Sequence, residues 1–135
     1  MTTPAVGEVG DPGGATATAT ATATTLQAGV TANLAAERAL LEQHARVVAA
    51  SEGSNADDEH DPEGSTIAFE RQQVAALLRQ VRATGEQLQA SLAALADGTY
   101  GTCLSCGRAI DPERLAARPQ ARTCIECARR AAARR

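Results

Sequence analysis

Every cysteine of the chain falls in one of two C-x-x-C pairs, Cys103-Leu104-Ser105-Cys106 and Cys124-Ile125-Glu126-Cys127, separated by seventeen residues. A pair at this spacing sets two thiolates on one turn of backbone. Two such turns brought together place four sulfurs at the corners of a tetrahedron, a geometry zinc accepts without electronic penalty. Protein then fills all four positions, so one structural Zn²⁺ is expected; a catalytic zinc would keep a position for water or substrate. A four-sulfur site also suits iron. The two histidines, His44 and His60, lie outside the spacing and read as surface or seam residues. Disulfides are disfavoured because the N-terminus, Met1-Thr2-Thr3-Pro4-Ala5-Val6-Gly7-Glu8, has no basic stretch followed by an apolar one, the signal for an oxidising compartment. A cytoplasmic protein is expected.

Charge is polarised along the chain. The formal net charge is −3, but residues 51–65 carry Glu52, Asp57, Asp58, Glu59, Asp61 and Glu63 with no basic residue, a local −6. Residues 103–135 carry eight arginines against Asp111, Glu113 and Glu126, a local +5 before the metal site is counted. All thirteen basic residues are arginine.

The elements that must position these groups are helical. With one Phe, one Tyr and no Trp in 135 residues, the chain lacks the large side chains that fill wide cores, whereas Ala, Leu and Val suit thin seams between helices. No apolar run reaches the roughly 18 residues that suggest a membrane span. Residues 1–24, with an Ala/Thr alternation from Ala15 to Thr24, bury too little apolar surface to offset ordering entropy and read as a disordered arm. From Leu26 to Ala50 a helix is expected, with Leu34, Leu41 and Val48 as its heptad stripe and Val30, Leu40 and Val47 beside it. Residues 51–65 form an acidic tip broken by Gly, Asn and Pro. Beyond it Ile67, Val74, Val81, Leu88 and Leu95 recur at seven, a coiled-coil seam. This second helix can start at Asp61, Ser65 or Thr66 and stops near Asp97-Gly98. Gly85 takes a seam position, where it either costs about 1 kcal/mol or admits a close partner.

Two amphipathic helices joined by a polar loop bury each other when folded back antiparallel. The expected fold class is therefore all-α: a two-helix coiled-coil hairpin over residues 25–98, then a four-cysteine zinc finger with a basic C-terminal helix over 99–135. The alternative is intermolecular pairing into a dimer; a monomeric hairpin is expected, because the loop closes at little entropic cost and pairing then needs no second chain. In the finger, Gly107 permits the turn after the first pair, and Asp111-Pro112-Glu113 reads as the cap and first turn of a short helix ending at Pro119. Ile110 and Leu115 are its expected apolar contacts. So small a core needs metal binding to fold.

Cys103-x-x-Cys106-Gly107, Ile110, Arg114-Leu115, Ala117, Pro119, Ala121 and Cys124-x-x-Cys127 resemble the zinc finger of the DksA/TraR family of bacterial transcription regulators. The acidic-tipped hairpin before the finger fits the same family, and the likeness spans about residues 26 to 130. The resemblance implies a regulator that binds RNA polymerase and passes its coiled-coil tip through the secondary channel toward the catalytic magnesium. It implies polymerase contact by tip residues Asp57, Asp58, Asp61 and Glu63. Better studied members carry Asp-x-x-Asp-x-Ala at the tip; ungapped counting from the finger puts His60, Glu63 and Ser65 there, while Asp58-Glu59-His60-Asp61 restores the two aspartates with Glu63 in place of alanine. Some members bind guanosine tetraphosphate through basic side chains; Arg114 and Arg118 match such positions as nucleotide or polymerase contacts, and no lysine completes the set.

A second function class is a nucleic-acid-binding zinc module using finger and tail arginines. Against direct DNA binding, the acidic segment repels phosphates and no aromatic platform exists for stacking bases. An enzyme is not expected, since neither an open metal position nor an adjacent acid or base is visible.

Overall fold

The computed structural model describes residues 12–53 and 62–135. Four helices follow in order, α1 (Pro12–Gly53), α2 (Pro62–Asp97), α3 (Pro112–Ala117) and α4 (Ile125–Ala133). The architecture is all-α, with one isolated bridge, Thr102 to Ala109, among the described residues. The long helices pack antiparallel: Gly29 lies against Leu88, Asn33 against Gly85, and Glu37 pairs with Arg82 at 2.7 Å. No described helix is long and apolar enough to cross a membrane.

Helix α2 follows the heptad expectation. Val74, Leu78 and Leu88 are buried, and Ile67, Val81, Leu92 and Leu95 are half-buried. Proline occupies its first position, where a missing N–H costs nothing. Gly98 ends it with φ 75°, a left-handed turn that glycine adopts without strain.

Helix α1 departs from expectation twice. Its seam runs through Leu26, Val30, Asn33, Glu37, Leu40, His44 and Val47, all buried or half-buried. Leu34 and Leu41, expected on the seam, are 59% and 44% exposed. Val48, the third expected, is half-buried as expected, so the seam is turned by one residue as far as Leu41, where the positions expected beside it are the ones that face α2.

The second departure is its start. The helix begins at Pro12, so residues 12–24, expected within a disordered arm, are helical; residues 1–11 of that arm lie outside the described residues. Local bonds supply part of what Ala/Thr propensity lacks. Thr22, Thr24 and Thr25 donate their hydroxyls to the carbonyls of Thr18, Thr20 and Ala21, satisfying polar groups within the helix. The offset set by Gly29 and Leu88 carries the residues before about Ala21 past the end of α2 and alongside the finger, where Thr18, Thr22 and Thr25 face Leu95, Tyr100, Leu115 and Pro119 across a groove of about 730 Å³. Leu26, fully buried, anchors this stretch.

The finger is joined to α2 by polar bonds to carbonyls near its C-terminus. The Thr99 and Tyr100 N–H groups donate to Ala94 O at 2.9 and 3.1 Å, and the Arg122 guanidinium donates to Ala90 O. Ser91 and Ala94 are buried at this junction.

Candidate metal centre

The first C-x-x-C pair is shaped by backbone. Cys103 N–H donates to Arg108 O at 2.8 Å and Gly107 N–H returns to Cys103 O at 2.9 Å. Gly107 closes the turn at φ 72°, a conformation that a side chain would disfavour. The second pair spans a helix start: Cys124 is the extended N-cap of α4, with φ −67° and ψ 163°, and Cys127 lies in its first turn. Asp111 caps α3 by accepting from Glu113 N–H at 2.8 Å, with Pro112 following it. Arg114 reaches from α3 to donate to Thr123 O at 3.0 Å, tying α3 to the approach of the second pair. Tyr100 donates its hydroxyl to Pro119 O at 2.8 Å.

These bonds converge the four cysteines. Their sulfurs lie within 4.8 Å of one another, and Cys106 and Cys124 approach to 3.9 Å. A tetrahedron with Zn–S near 2.3 Å has sulfurs about 3.8 Å apart, so the set fits zinc. Cys103, Ile110 and Cys127 form a buried cluster against which Cys106, Leu115 and Cys124 pack. The metal-binding sulfurs are therefore the core of the finger.

Electrostatics differ from sulfur to sulfur. Cys103 is lowered to about 6, first by the Cys124 backbone N–H, which meets its Sγ at 3.3 Å. Cys106 is lowered by the Arg108 backbone N–H and guanidinium. Cys127 is pushed up to about 12 by its bond with Cys124 and by burial. Four adjacent sulfurs do not all ionise on their own; a divalent cation makes the fully ionised set favourable. Arg130 donates to Cys127 Sγ at 3.4 Å, and Arg108 pairs with Glu126 at 3.1 Å while lying beside Cys106. The sequence places these two only among the finger and tail arginines, although each lies within three residues of a cysteine.

The remaining expected site residues divide. Arg114 is half-buried and engaged with Thr123, whereas Arg118 is exposed at the C-cap of α3. Asp57, Asp58, Asp61 and His60 lie outside the described residues, and Glu63 falls in the first turn of α2. His44 faces α2 beside Ala68, Arg71, Gln72 and Ala75, away from the sulfurs.

Residues 98–131 match the family model of the prokaryotic dksA/traR C4-type zinc finger. The sulfur geometry and this match identify one structural zinc site held by Cys103, Cys106, Cys124 and Cys127. No curated protein matches the chain in sequence. Among solved structures, the fold is similar to that of transcription factor DksA2 from Pseudomonas aeruginosa, with a TM-score of 0.68 and 22% identity over 87% of this chain and 85% of that one.

Proposed function

We propose that the chain is a transcription regulator of the dksA/traR kind, which binds RNA polymerase and presents the acidic end of its hairpin to the secondary channel. One observation carries this reading: a finger of the dksA/traR C4 type is joined directly to a long antiparallel hairpin, in a fold similar to that of DksA2. The physical logic is a lever. Zinc holds the base, two paired helices supply length and stiffness, and the −6 segment of residues 51–65 runs from the last turn of α1 to the first turn of α2. Carboxylates suit hard cations such as magnesium and the basic side chains that surround phosphate chemistry.

Asp57, Asp58, Asp61 and Glu63 are proposed as the polymerase-contacting groups. Arg118, exposed on the finger, is better placed than the engaged Arg114 for phosphates of guanosine tetraphosphate or for polymerase. The chain acts as a cytoplasmic monomer, because α1 and α2 cover each other within one chain, and its role is regulatory rather than catalytic.

The test is retention of the zinc-loaded chain by purified RNA polymerase, repeated with a competitor that fills the secondary channel. Binding should be lost with the competitor. Asp57→Asn with Asp61→Asn should keep binding and weaken the change in promoter output. Unimpaired binding beside the competitor rejects channel entry, and unchanged output from the double variant rejects an active acidic tip.

A further inference from the structure

The α1 seam holds three polar residues, Asn33, Glu37 and His44, among Leu26, Val30, Leu40 and Val47. One position along lies a second stripe, Gln27, Thr31, Leu34, Arg38, Leu41, Ala45 and Val48, with the same heptad spacing and the same number of apolar members. The two are related by a turn of about 100° about the helix axis. Burial of apolar area is non-directional and scales with area, so it separates these alignments weakly. The second stripe is the one whose leucines stand exposed.

What distinguishes the alignments is shape and pairing midway along the shaft. A Cβ on Gly85 would stand 2.7 Å from Asn33 Nδ2, and one on Gly29 would stand 3.0 Å from Leu88 Cδ2. The helices therefore approach closely here because each offers a glycine, and Asn33 fills the notch that Gly85 leaves. One turn on, Arg82 Nε donates to Glu37 Oε1 at 2.7 Å. Turning α1 to the second stripe would replace Asn33 with the larger Leu34 at this level and carry Glu37 away from Arg82. Polar residues at seam positions are an established means of fixing register at some cost in stability.

We propose that Asn33 seated on Gly85, braced by Glu37 and Arg82, is an alignment lock that holds α1 in one of two nearly balanced faces against α2. The lock fixes which side of the hairpin carries the Leu34, Leu41 and Val48 stripe. It also fixes the rotation of the Gly53 end of α1 relative to the zinc end.

The chain has no tryptophan, so Leu41→Trp places a single probe on the outer stripe of the zinc-loaded protein. With the lock intact, acrylamide should quench it as an exposed indole. Adding Gly85→Leu, which fills the notch, should shield the probe and lower quenching at least two-fold while helical circular dichroism is kept. Exchanging the notch, Asn33→Gly with Gly85→Asn, should restore quenching. A folded Gly85→Leu protein with unchanged quenching overturns the proposal. Should that variant lose its helicity, Gly85→Ala decides: it should raise the melting temperature in an Asn33→Ala background and fail to raise it when Asn33 is present. An equal rise in both backgrounds overturns the proposal as well.

Discussion

Three sulfurs of the zinc site depart from their ordinary proton affinity, Cys103 and Cys106 downward and Cys127 upward, so metal binding depends on pH in a definite sense. Cys103 is lowered from 9.0 to about 6 in the folded finger, first by the Cys124 N–H, which favours its thiolate there. A depressed value contributes stability that is present above 9 and lost as pH falls through 6. Cys127, raised to about 12, is a thiol whose proton the metal must displace. Because the metal-free finger is not organised, its thiols start near their ordinary values, so zinc binding near pH 7 should release close to four protons per ion, and zinc retention should fall steeply below pH 6. Calorimetry in buffers of different ionisation enthalpy measures the count; a count near three would mean that a Cys103 thiolate is already formed in the metal-free chain. Cys124→Ser removes a ligand and a neighbour of three sulfurs at once, while leaving at the α4 cap a residue suited to it. Zinc stoichiometry should drop to near zero, because apparent binding energies of about 10–16 kcal/mol are what fold such small sites. Retained stoichiometric zinc would contradict four-sulfur ligation.

Along a helix, one residue of rotation separates a costly substitution from a mild one. Leu26 is fully buried on the α1 seam, so Leu26→Ala should cost about 2–5 kcal/mol in urea unfolding. Leu34→Ala, on the exposed stripe, should stay within about 0.5 kcal/mol. A sequence reading that put Leu34 on the seam ranks these the other way. Helix α2 was legible because five residues from Ile67 to Leu95 repeat at seven and no rival stripe competes. Helix α1 was not, because its two stripes carry equal apolar content and the choice rests on a glycine notch in α2 that no pattern within α1 contains. Its start was hidden for a related reason. Ala and Thr between 15 and 24 have little to bury by themselves, and the wall they face across the groove belongs to a finger about ninety residues later in the chain. The four ligands were legible outright, since their spacing is the signal, while Arg122 bonded to the Ala90 carbonyl depends on how finger and shaft meet.

At the scale of the whole molecule, the zinc site supports more than the finger. Residues 98–135 have little apolar core beyond Ile110, Leu115 and the cysteines, so removing the ion removes what organises them. The junction then loses the partners that meet it from the finger side: the Arg122 bond to Ala90 O, the Tyr100 bond to Pro119 O, and the groove wall of Tyr100, Leu115 and Pro119 opposite Thr18–Thr25. The N-terminal stretch of α1 runs past α2 and faces this wall across the groove, whereas the shaft from Val30 to Val47 packs on α2 without the finger. Chelation should therefore open two segments far apart in sequence, the finger and residues 12–25, while the paired shaft stays closed, since local opening follows missing packing. Hydrogen exchange before and after zinc removal reads this directly. Amides of residues 102–130 and 16–25 should lose protection together, and those of 70–82 should keep it. Unchanged protection at 16–25 in the zinc-free protein would mean that the early helix stands without the finger, and that the metal organises only the segment that binds it.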